Sequence, residues 1–146
     1  MTLEQLFQEM RYQVRDLFDG VFPERPPSAV QDRIDRLQGE RRDCFDRLRR
    51  QYRVIDHLRQ RIHQDERRAD LLSARVEKSL AVGDRGTAWR DALELDQLRR
   101  ATEQDRKQLR NHERTARAHQ DEIDKIDRHL TDLRYHLHVH GYCRCA

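Results

Sequence analysis

At 146 residues the chain allows one domain, but 39% of it is charged against 36% hydrophobic, which leaves too little apolar surface for a thick globular core. The formal charge of +3 divides as −2 over residues 1–28, +4 over 29–80 and +1 over 81–146, an interleaved pattern that speaks against nucleic-acid binding. No run of eighteen apolar residues occurs and Glu4 and Glu9 interrupt the early apolar stretch, so the expectation is a protein without a membrane span or signal peptide, kept in the cytoplasm.

Residues 1–19 come first. Leu3, Leu6, Phe7, Met10, Val14, Leu17 and Phe18 recur at 3,4 spacing, the pattern of a short amphipathic helix, and Thr2 with Gln5 has the spacing of a capping box. Seven bulky apolar residues on one face suit an interfacial membrane anchor. The competing reading packs the same face across the rest of the chain, or against another copy or a protein partner. Glu4, Glu9, Asp16 and Asp19 outnumber Arg11 and Arg15, which disfavours simple electrostatic attraction to an acidic surface. Residues 20–28 are a linker, since Gly20, Pro23, Pro26 and Pro27 cannot all sit inside one helix.

Ser28 then offers a cap for a first long arm. Val30, Ile34, Leu37, Cys44, Leu48, Ile55, Leu58, Ile62, Ala69, Leu72 and Val76 form one seam in that arm. Gly83 and Gly86 interrupt the pattern, with Asp84 or Thr87 as the next cap. A second arm resumes it with Leu95, Leu98, Leu109, Ala116, Ile123, Ile126, Leu130, Leu133 and Leu137. A sustained 3.5-residue period on both sides of a short Gly-bearing break predicts an all-α chain: a long antiparallel coiled-coil hairpin over 29–135, with its turn near 82–87. The first arm, about 50 residues, would be roughly 75 Å long. Trp89, beside the turn, is expected to pack over the hairpin tip.

Polar residues interrupt the seam at Arg41, Gln51 and Asp65 in the first arm and at Asp105, His112 and His119 in the second. Pairing about residue 84 sets residue i opposite residue 168−i, so His119 is expected near Gln51 and Asp105 near Asp65 or Ile62. Polar residues in such seams mostly fix register at some cost in stability. A pH-sensing or metal role for the two histidines is the alternative, although seven residues separate them.

The last segment, 136–146, gathers His136, His138, His140, Cys143 and Cys145. Imidazoles and thiolates suit zinc or copper(I). An extended chain projects all three histidines from one face, while a helix aligns only His136 with His140. The spacing matches no standard zinc finger, and a frayed tail with incidental ligands is the plain alternative. No nucleophile with its base, Gly-rich phosphate loop or paired-carboxylate site is recognisable, so the chain reads as non-enzymatic.

The layout over residues 3–135 resembles a known family. MTLEQLFQEMRYQVRDLF, a proline before PPSAVQDRIDRL, the turn followed by GDRGTAWRDALELDQLRR, and EIDKIDRHLTDL together look like phage-shock protein A and the vesicle-inducing protein of plastids, the bacterial branch of the ESCRT-III superfamily. Arg90, Ala92 and Leu93 stand where that family has an Arg-Ala-Ala-Leu type sequence. The resemblance implies a peripheral protein of the inner face of the membrane that homo-oligomerises through its hairpin and supports or remodels a stressed bilayer. Leu3, Leu6, Phe7, Met10, Val14, Leu17 and Phe18 would then be its lipid-contacting residues. The alternative is a soluble coiled-coil adaptor that binds a protein partner and carries zinc on its tail.

Overall fold

A computed structural model describes residues 27–142, with side chains over 29–140. Residues 1–26, with the predicted amphipathic helix and most of the linker, lie outside the described residues, as do Cys143 and Cys145. Among the described residues there are two helices: α1 over Pro27–Ala81, 55 residues long, and α2 over Arg85–Tyr142, 58 residues long. At 1.5 Å per residue each is about 80–90 Å long. The helices pack against one another along their length, and they share one thin apolar seam.

The first helix starts at Pro27, so Ser28 belongs to its first turn. A proline's fixed φ and missing N–H suit that position, where no intrahelical partner would be available. The turn is tight. Gly83 takes φ 80°, the left-handed conformation that a residue with Cβ adopts only with strain. Its N–H donates to the carbonyl of Leu80 at 3.1 Å, and that of Asp84 donates to the carbonyl of Ser79 at 2.9 Å. These two bonds form a Schellman motif that satisfies the last carbonyls of α1. Asp84 then caps α2: its Oδ1 accepts from the backbone N–H of Thr87 at 3.1 Å. Of the two caps offered by the sequence, Asp84 holds the position.

The expected seam is buried in register. Ile34, Cys44, Leu48 and Ile55 of α1 pack with Ala116, Ile123, Ile126 and Leu130 of α2, flanked by the partly buried Val30, Leu37, Leu109, Leu133 and Leu137. Towards the turn, Leu58, Ile62, Leu72, Ala88 and Leu95 are also buried. Full burial of each large aliphatic side chain contributes roughly 1.5–3 kcal/mol, so the hairpin is stabilised by many small layers and no single centre.

Three expectations change. The second helix continues to Tyr142 rather than ending near Tyr135, because nothing between 135 and 140 breaks it. Trp89 is 67% exposed: it stands one position beyond the seam residue Ala88 and turns outward instead of packing over the tip. Gln51 meets His112, not His119, with Nδ1 and Oε1 2.7 Å apart.

Candidate functional site

Polar groups set into the seam hold the two helices in one register. Asp105 is 7% exposed and accepts a two-pronged bond from Arg61, the fork geometry that suits guanidinium to carboxylate; that bond also pushes the Arg61 pKa up. Asp91, 6% exposed, accepts from Arg75 through Oδ1 at 3.1 Å, while its buried Oδ2 has no hydrogen-bond partner. Thr102 is 4% exposed and donates its hydroxyl to the carbonyl of Leu98, four residues back, at 2.8 Å. Asp91 and Thr102 were missed as seam residues. The signal was present, since 88, 91, 95, 98, 102 and 105 keep the 3,4 spacing, but their polarity resembles that of a helix surface.

Outside the seam, ion pairs cross between the helices: Arg59 with Glu113 at 2.9 Å, Arg106 with Glu66 at 2.5 Å, Arg68 with Glu94 and Arg41 with Asp127. Each is largely solvated and contributes no more than about 1 kcal/mol. Collectively they oppose slippage of one helix along the other.

Cys44 is 1% exposed. Burial pushes its thiol pKa up, and the neighbouring Glu122 carboxylate adds to the rise. The thiol therefore stays protonated and behaves as a small core residue. His119 lies 3.9 Å from Glu122 on its own helix, and His112 pairs with Gln51; the structure does not bring these two histidines together as one site.

His136, His138 and His140 all lie on α2. In a helix, His136 and His140 share a face and His138 points elsewhere, so the arrangement with three imidazoles on one face is not formed. The ring of His136 meets that of Tyr135 edge-on, with centroids 6.1 Å apart. Among the described residues, no three His, Cys, Asp or Glu side chains gather as a metal site; Cys143 and Cys145 fall outside that set. Leu3, Leu6, Phe7, Met10, Val14, Leu17 and Phe18 also lie outside the described residues.

Among the described residues one set of exposed apolar side chains lies towards the turn, with Leu71 68% exposed, Leu80 57%, Val82 74%, Trp89 67% and Leu93 48%, and a second set, Phe45, Tyr52, Val54, Tyr135 and Val139, lies towards the open end. Trp89 and Leu93 are one helical turn apart and share a face. Among the described residues no helix is long and apolar enough to cross a membrane. No family model, curated protein or solved structure matches this chain.

Proposed function

We propose that the chain is a non-enzymatic assembly protein of the phage-shock, ESCRT-III-like type, peripheral on the inner face of the membrane. In this reading its hairpins polymerise or co-assemble, and they support or remodel the bilayer. The observation that supports it is the hairpin itself: helices of 55 and 58 residues that spend their apolar residues on one thin seam and present long charged sides. A rod of this kind offers extended surface for lateral association and little concavity for chemistry. Residues 3–18 supply the lipid contact.

The experiment is liposome flotation of the full chain beside Phe7→Ser/Leu17→Ser. Each of these side chains contributes roughly 1.5–3 kcal/mol when fully buried, so the double variant should lose most of its flotation while remaining helical by circular dichroism. A parent that floats and a variant that floats as well would remove residues 3–18 as the lipid contact. Flotation of neither protein leaves the second reading, a soluble coiled-coil adaptor that docks a protein partner and binds zinc at its His/Cys tail. The exposed Trp89 and Leu93 beside the turn favour that reading, since aromatic side chains at a rigid, accessible tip are typical protein contacts.

A further inference from the structure

Counted along the chain, charge is interleaved; counted in layers across the hairpin, it is not. Residues 47–61 of α1 carry six arginines against Asp56 alone, and residues 107–121 of α2 carry Lys107, Arg110, Arg114 and Arg117 against Glu113 and Asp121. The fold sets these two stretches side by side. Gln51 meets His112 and Arg59 meets Glu113, with Leu48 and Ala116 in the seam between them. Together they form a belt about 22 Å long midway along the rod. Its ten cations and three anions give a charge of +7, while the other 116 residues sum to −4. All ten cations are exposed. Three of them meet carboxylates, Arg59 at Glu113, Arg61 at Asp105 and Arg110 at Glu103; among the described residues, the other seven enter no ion pair.

We infer that this belt binds the phosphodiester backbone of single-stranded nucleic acid. Charge selects a polyanion. No other zone of the chain carries an opposing excess, since residues 62–106 sum to −1 and residues 1–28 to −2, so a second copy does not neutralise the belt. Geometry selects a flexible polyanion. Arg47 and Arg61, fourteen residues apart, occupy the heptad row on one flank of the seam, whereas Tyr52 and Arg59, seven apart, occupy the row on the other. Arg50 and Arg53 on α1, and Lys107 and Arg114 on α2, stand on the outer faces away from the seam. A flat bilayer or a straight duplex meets one of these sides at a time; a single strand wraps across several. Side-chain chemistry agrees. Nine of the ten belt cations are arginine, whose planar guanidinium forks onto phosphate oxygens and stacks on bases. Tyr52, 50% exposed, offers a ring in the same belt on which a base stacks. The contact is electrostatic and sequence-independent, and it does not depend on whether residues 3–18 meet a bilayer.

The test is fluorescence anisotropy of the full chain with a labelled oligo-dT of about 20 nucleotides. With about five phosphates engaged, log affinity falls with log salt at a slope of about −3.5, so binding should weaken roughly 100-fold between about 50 and 200 mM salt. Arg49→Gln/Arg50→Gln/Arg53→Gln on α1 and Lys107→Gln/Arg114→Gln/Arg117→Gln on α2 should each weaken it about tenfold or more, with helical circular dichroism unchanged. Arg36→Gln/Arg67→Gln/Arg99→Gln removes the same charge from exposed positions outside the belt and should weaken binding about twofold or less, because salt screens it. Absence of binding at the lower salt overturns the proposal. An equal loss in the belt variants and the outside variant also overturns it, since net charge alone would then account for the contact. Tighter binding to a duplex of the same length assigns the belt to a rigid polyanion, and binding to phosphatidylglycerol vesicles with none to oligo-dT assigns it to a bilayer; either result overturns single-strand binding.

Discussion

Asp91 and Asp105 occupy seam positions of the same helix, yet their consequences differ because one is satisfied and the other is not. Asp105 offers both oxygens to Arg61. Asp91 offers one to Arg75 and buries the other without a partner, which carries a desolvation cost. Arg75 is 62% exposed, so it remains solvated when its partner is removed. Asp91→Leu should therefore stabilise the hairpin by about 1–2 kcal/mol in urea unfolding; a lower midpoint than the parent would contradict this. Asp84 behaves oppositely. Its hydrogen bonds to Thr87, side chain first and backbone second, hold its carboxyl below the usual pKa. A carboxyl depressed in the folded state contributes stability that is present above its ordinary pKa and fades as pH falls through the lowered one. The melting temperature of the parent should exceed that of Asp84→Ala by a constant margin near neutrality, and the charge-dependent part of that margin should shrink below about pH 4. A margin that grows on acidification would show that the cap does not act through its charge.

At the scale of the helices, the heptad was legible because apolar residues mark a seam wherever they recur at 3,4 spacing. What it did not show was how the flanks step apart. The expected pairing sets partners whose numbers add to 168, and Arg41 with Asp127 meets it. On one flank, however, Arg59 with Glu113 and Glu66 with Arg106 add to 172, while Arg68 with Glu94 adds to 162. A single offset describes the axis of an antiparallel pair and not its two sides, which is why Gln51 found His112 where the sequence pointed to His119. The outward turn of Trp89 was equally implicit, one position past Ala88, but a lone tryptophan near two glycines invited a packed anchor. Leu58 is 3% exposed and Leu109 packs against the core cluster; their numbers add to 167, close to the axis. Leu58→Asp with Leu109→Asp buries two like charges in one layer, each without compensation. The circular dichroism melt should fall by many degrees, and an unchanged curve would refute the pairing at this layer.

For the molecule as a whole, the helix that runs to Tyr142 sets the terms for a metal at the tail. Alternating histidines left an extended chain and a helix both open, since nothing in HLHVH distinguishes them by period alone; the helix limits what the chain supplies to one ion from this stretch to His136 and His140. Structural zinc takes four ligands. Two imidazoles must then be joined either by Cys143 and Cys145 of the same chain or by the same pair of histidines from a second hairpin meeting it end to end. The two routes differ in stoichiometry, close to one zinc per chain for the first and one per two chains for the second. Thiolate and imidazole ligands both lose protons on binding, so uptake should be stronger at neutral pH than near pH 5 in either case. Cys143→Ser/Cys145→Ser should abolish binding by the first route and leave it intact by the second, while His136→Ala/His140→Ala should abolish both. Metal content by mass spectrometry that does not change in either double variant would remove zinc from the tail altogether, and with it the feature that most separates the adaptor reading from a lipid-bound assembly rod.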